Sequence, residues 1–177
     1  MDARRGNPWR PVVWGLAAAL LLLPAVAMQF TRDVQWTAFD FMAFGAMLLA
    51  ACGAYEFAAW ISGNKVYRAA AGLAVIAGFL LTWINLAVGI IGDEHGQANL
   101  LFFGVLLVGI VGACLARFRA QGMSVALVAT AIAQIVAGVV ALMLGSFEAV
   151  ALSVVFAGIW LSSAGLFKRA GRPALMS

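Results

Sequence analysis

Charge is scarce in this sequence. Only 10% of its 177 residues are Asp, Glu, Lys or Arg, against about 25% in soluble domains. A water-soluble globular fold is therefore excluded. Disorder is excluded as well, because disordered chains are poor in apolar residues and this one is 65% apolar. Cysteine is nearly absent. The two that exist, Cys52 and Cys114, form no C-x-x-C motif and cannot staple a disulfide scaffold. Both map toward the expected cytoplasmic half, where disulfides rarely persist, and they read as small packing residues.

Histidine is scarcer still. With His95 alone, bis-histidine haem ligation within one chain is impossible, and H-E-x-x-H is absent. Neither G-x-S-x-G nor a phosphate-cradling glycine loop occurs. No catalytic, cofactor-binding or metal-ligating residue is therefore nominated, and an enzyme is the less favoured reading. Asp93, Glu94 and His95 adjoin one another and could hold a divalent cation weakly. Adjacent residues rarely converge on one ion, so a solvated loop is expected there.

What is present is hydrocarbon. Mean hydropathy is +1.03. Six apolar runs are read, at roughly 12–28, 36–61, 67–91, 99–116, 123–144 and 149–167. Backbone groups in lipid must bond within their own segment, so runs of this length are helices. The connections are short. The expectation is one all-α domain over 1–177, a six-helix transmembrane bundle of antiparallel hairpins. Gly63-Asn64 and Gly92-Asp93 read as helix stops.

The net charge of +4 would raise nucleic acid as a partner in a soluble protein. Here the cations gather at helix ends, and the lipid bilayer is the expected partner instead. Arg4, Arg5, Arg10, Lys65, Arg68, Arg117, Arg119, Lys168, Arg169 and Arg172 fall on one side of a six-span layout. Only Arg32 falls on the other, with Asp33, Asp40, Asp93, Glu94 and Glu148. Short loops rich in Lys and Arg stay in the cytoplasm, so both termini are expected inside. Trp9, Trp14, Trp36, Trp60 and Tyr67 lie near span ends, as an aromatic belt would. Arg4-Arg5, an apolar stretch and Ala25-Val26-Ala27 also resemble a cleavable signal peptide. The reading adopted keeps that stretch as the first span, with Pro24 kinking its outer end.

Helices in lipid gain no hydrophobic drive from meeting, so stripes of small and polar residues are informative. The third run carries Ala71, Gly78, Thr82, Asn85, Gly89 and Gly92. The fifth carries Ala126, Thr130, Ala133 or Gln134, Ala137, Ala141 and Gly145. Thr82, Asn85, Thr130 and Gln134 are expected to bond across helices. Their alternative is to line a midplane polar pocket. Two intramembrane charges stand in the second run, Asp40 and Glu56. They lie about 160° apart around the helix and do not form one relay. Asp40 suits its own helix N-terminus. Glu56 is expected to pair with Lys65, Arg68, Arg117 or Arg119, the other option being a proton or substrate role.

The stretch Trp83-Ile-Asn-Leu-Ala-Val-Gly-Ile-Ile-Gly92, with Ala98-Asn99-Leu100 and Phe103-Gly104, is similar to a pattern in small bacterial inner-membrane proteins of uncharacterised activity. The similarity extends over most of the chain, including Met28-Gln29-Phe30-Thr31. It implies a bacterial inner membrane and six helices, and it brings no catalytic residues. Its outer loop need not carry a histidine, which weakens a metal role for His95.

Three functions follow as expectations. The first is a non-catalytic accessory or scaffold bundle, as a homo-oligomer or within a larger membrane complex. The second is a small solute transporter or channel. The third is a membrane enzyme acting on lipid or quinone, with Glu56, Tyr55 and the inner-loop arginines at a headgroup site.

Overall fold

The computed structural model describes residues 10–91 and 97–172. Among the described residues every regular element is helical and no strand occurs. The helices are α1 (Arg10–Phe30), α2 (Ala38–Ile61), α3 (Lys65–Ala87), α4 (Leu100–Leu115), α5 (Ala120–Met143) and α6 (Phe147–Ala170), with a single 3-10 turn at Gln97–Asn99. All but α4 are 21–24 residues long and apolar enough to cross a membrane. α4 has 16 residues, about 24 Å of helix at 1.5 Å per residue. It is apolar and begins directly after the 3-10 turn.

The chain divides into two compact units, residues 1–61 and 62–177. The first holds α1 and α2. Arg10 meets Glu56, and Gly45 lies against Leu21. Both pairs obey one antiparallel register, because Arg10 to Leu21 and Glu56 back to Gly45 are equal lengths of helix. α1 runs continuously through Pro24, its one buried residue.

The second unit is an up-and-down bundle of α3, α4, α5 and α6. Its two ends are identified by side-chain bonds. At one end the Asn64 amide donates to the Ala170 carbonyl at 3.5 Å, and the Tyr67 hydroxyl donates to the Phe118 carbonyl at 2.7 Å. Tyr67 also stacks edge-on against Phe167, with ring centroids 4.9 Å apart. At the other end the Ser146 hydroxyl donates to the Ile90 carbonyl at 3.3 Å. α6 packs most extensively against α5 and also covers α3. Its buried face reads Ala149, Ser153, Phe156, Trp160, Ser163 and Phe167. Those steps of four and three are the spacing of a seam facing partner helices.

Small residues bring the backbones close. A Cβ added at Gly138 would stand 2.6 Å from Ser153 Cβ, and one at Gly112 would stand 2.8 Å from Ala126 Cβ. Real Cβ atoms do not approach so closely, so only glycine admits these helix crossings. In lipid such contact, with its dispersion energy, stands in for the hydrophobic drive.

Three local findings add to or correct the sequence reading. α2 stops at Ile61, just ahead of Gly63-Asn64 as read, and Asn64 then begins α3. Its side chain accepts from the Val66 amide at 2.8 Å and the Tyr67 amide at 3.4 Å, an N-cap. α3 finishes at Ala87, short of Ile91, and Gly89 turns the chain at φ +78°. The small-residue stripe of α3 therefore ends at Asn85. Gly89 lies beyond the helix, and Gly92 lies outside the described residues. The third concerns the α4–α5 turn. Phe118 N–H donates to the Ala113 carbonyl at 3.2 Å and Arg117 N–H to the Cys114 carbonyl at 2.9 Å. That is a Schellman ending. Arg117 and Phe118 sit there at φ +47° and +56°, a left-handed conformation costing roughly 1–2 kcal/mol per non-glycine residue. The α5–α6 turn has the same bond pattern with Gly145 at φ +86°, where no such cost arises.

Candidate functional site

The polar residues singled out in the sequence separate into several places. Asn85 is at the end of α3, buried, and its amide donates to the Asn99 carbonyl at 3.0 Å. Asn99 in turn uses its side-chain oxygen on two amides, Ile90 N–H at 2.9 Å and Ile91 N–H at 2.8 Å. This explains how the backbone leaving α3 is satisfied after the helix stops. Asn85 Oδ1 is buried with no hydrogen-bond partner among the described residues.

Gln134 lies in the middle of α5 and is wholly buried. Its amide nitrogen reaches Ser153 Oγ at 3.5 Å, and its carbonyl accepts from Trp160 Nε1 at 3.4 Å. Both partners are on α6. The Trp160 ring extends to within 3.9 Å of a Cβ position on Gly78 of α3, so it links three helices. Farther along the same face of α6, the Ser163 hydroxyl donates to the Ala70 carbonyl of α3 at 2.8 Å.

The threonines do otherwise. Thr82 Oγ1 donates to the Gly78 carbonyl at 2.8 Å, and Thr130 Oγ1 to the Ala126 carbonyl at 2.9 Å. Each hydroxyl bonds one turn back along its own helix. Thr130 is fully buried, and its side chain would lie 3.2 Å from a Cβ at Gly109 of α4. Its contact across helices is thus one of packing. No bond brings Thr82, Asn85, Thr130 and Gln134 into a single polar cluster.

The intramembrane charges belong to the two-helix unit. Asp40 Oδ2 accepts from Thr37 N–H at 2.7 Å and Thr37 Oγ1 at 2.8 Å, while Thr37 Oγ1 accepts from Asp40 N–H at 3.4 Å. This reciprocal pair is a capping box at the start of α2. Glu56 faces Arg10 of α1, with Oε1 3.7 Å from Nε. That distance is an ion pair without a hydrogen bond. The partner is therefore a residue of the first helix, none of the loop cations expected from the sequence. Trp14 Nε1 is buried without a hydrogen-bond partner among the described residues. The common register of α1 and α2 sets Trp14 level with Cys52, one turn from Glu56.

Cys52 is buried and Cys114 exposed, and both are free thiols. Among the described residues no group of three potential metal ligands occurs. Asp93, Glu94 and His95 lie outside the described residues. An open apolar depression on the flank of α1 is lined by Ala19, Leu22, Leu23, Val26 and Ala27 and presents no side-chain polar group.

Sequence reasoning missed Asn99, Ser153, Trp160 and Ser163. The last three shared a detectable signal, since they recur at heptad-like spacing along α6 with Phe156 and Phe167. Asn99 gave none, because an asparagine before an apolar run reads as a helix cap. It forms no side-chain cap to α4 and serves α3 instead.

The fold and these bonds define a class: an all-α integral membrane protein in which Gln134 and Ser163 join helix to helix while the threonines bond within their own helices. No protein-family model matches the chain, and no curated protein or solved structure is significantly similar to it.

Proposed function

We propose that the chain is a non-catalytic accessory or scaffold bundle of the bacterial inner membrane. It crosses six times with both termini in the cytoplasm, and it works as a homo-oligomer or as part of a larger membrane complex. The observation that carries the reading is the use made of Gln134. The wholly buried amide is engaged at both ends by α6, through Ser153 and Trp160. Thr82 and Thr130 are likewise engaged, by their own backbones. Close glycine contacts at Gly112 and Gly138 favour a packed interior over a solute path. The segregation of ten cations from five acidic residues supports the orientation. The resemblance to small bacterial inner-membrane proteins supports the location.

The test is Gln134→Leu in detergent-solubilised protein. Trp160 Nε1 and Ser153 Oγ then lose their partner, and stability falls by about 1–2 kcal/mol. The paired variant Gln134→Leu/Ser153→Ala recovers part of that loss. A Gln134→Leu protein that keeps its melting temperature but changes the solute permeability of proteoliposomes would overturn the reading in favour of transport. Crosslinking in native membranes before solubilisation tests the assembly. A monomer without crosslinked neighbours would refute it.

A further inference from the structure

The end of the four-helix unit where α3 begins and α6 finishes is strongly basic. Lys65, Arg117, Arg119, Lys168, Arg169 and Arg172 are all exposed there. Bonds already described assemble this end: Asn64 to Ala170, and Tyr67 to Phe118. Gly171 also packs on Gln121, so the close of α6 lies against the start of α5. Arg68 adds a half-buried cation whose Nε donates to the Ser62 carbonyl at 2.8 Å.

Nothing described within the unit neutralises the six exposed cations. Its described carboxylate, Glu148, is in the first turn of α6, at the opposite end. The ion pair found among the described residues, Arg10 with Glu56, is in the other unit. Six like charges gathered on the face of one small bundle repel one another, and an external anion relieves that repulsion.

A second observation concerns Arg117. It holds a left-handed backbone conformation at φ +47°, at the helix-ending position that glycine fills without strain. The equivalent position between α5 and α6 is Gly145. Strain retained where a common residue would remove it points to a function for the side chain.

Depth selects the anion. α3, α5 and α6 have 23–24 residues, about 35 Å of helix against about 30 Å of hydrocarbon. Lys65 opens α3, Arg119 precedes α5, and Lys168 and Arg169 are in the last turn of α6. With the spans centred in the bilayer, helix length puts these residues at the level of lipid phosphates, where headgroups meet them before an aqueous partner does.

We propose that this end of α3–α6 is a docking surface for the headgroups of anionic phospholipids. The cations, set around one bundle end, hold several lipid phosphates at once and bind anionic in preference to zwitterionic lipid.

The full chain is incorporated into nanodiscs of equal phosphatidylcholine and phosphatidylglycerol, and the lipid retained by the protein is counted by native mass spectrometry. The wild-type protein retains phosphatidylglycerol in excess. Arg117→Gln/Arg119→Gln/Arg169→Gln/Arg172→Gln lowers that preference by about fivefold for each cation removed, and added salt lowers it further. The fourfold lysine version restores it, and Arg32→Gln, in the other unit, leaves it intact. Circular dichroism confirms folding. Should the fourfold glutamine variant misfold, Lys168→Gln/Arg172→Gln gives the smaller graded loss. Unchanged preference in a folded glutamine variant overturns the proposal. So does a wild-type protein with no lipid preference whose cations retain an acidic protein instead.

Discussion

The two-helix unit and the four-helix unit solve the same problem with different materials. α1 buries one residue along its length, Pro24, whereas α5 buries nine. In the hairpin, Gly15 and Gly53 have nothing within 4 Å of a Cβ position, and Gly45 has only Leu21 at 3.9 Å. In the bundle, a Cβ added at Gly112 or Gly138 would stand less than 3.0 Å from the neighbouring helix. The hairpin's polar link is one ion pair at 3.7 Å, with Arg10 two-thirds exposed. The bundle's links are buried hydrogen bonds to amides, hydroxyls and carbonyls. Both units are equally greasy in composition. Apolar composition alone therefore does not bring helices together in lipid; close approach and satisfied polar groups do.

The largest effect that would sharpen this contrast is expected at Asn99. Asn99→Ala leaves the Ile90 and Ile91 amides without their acceptor, at about 1–3 kcal/mol for each buried donor. Hydrogen exchange read at those two amides should accelerate, with little change in α1 or α2. Next comes a matched pair of glycines. Gly138→Ala forces α5 away from Ser153, and overpacking of this kind costs about 1–3 kcal/mol. Gly45→Ala meets no obstruction and should be neutral, or stabilising by roughly 0.5–1 kcal/mol through helix propensity. Thermal melts of the two variants in one detergent measure the difference directly. Equal losses would break the comparison.

Smaller effects follow. Arg117→Gly removes left-handed strain and should raise bundle stability by up to about 1 kcal/mol, read as a higher melting temperature. The same change deletes a headgroup cation, so stability and lipid preference should move in opposite directions. The smallest effect belongs to the hairpin. A double-mutant cycle on Arg10→Gln and Glu56→Gln should give a coupling below about 1 kcal/mol, because Arg10 is largely exposed and the 3.7 Å pair carries no hydrogen bond.

The helical framework was legible from hydropathy because lipid imposes one rule on every residue of a span. Each of the six runs contains a helix, including the short α4. The termini of α3 were less legible. Whether a helix ends at Ala87 or Ile91 depends on an acceptor arriving from Asn99, and residue spacing carries no trace of it. The stripe on α3 was read as a bonding seam through Thr82. Yet a threonine hydroxyl can satisfy itself one turn back, and sequence does not distinguish that from a bond across helices. Gln134 has no such local option, since its amide projects too far from its own backbone, and it found α6. The arginine facing Glu56 was hidden for another reason. It depends on how α1 and α2 align, and that register rests on small contacts such as Gly45 with Leu21.

The clamp at Asn99 bears on how the chain is made. During synthesis α3 emerges before α4, and the amides of Ile90 and Ile91 await a side chain not yet translated. The boundary of α3 at Ala87 is therefore fixed only once Asn99 has followed, so α3 and α4 complete their shared end as a pair.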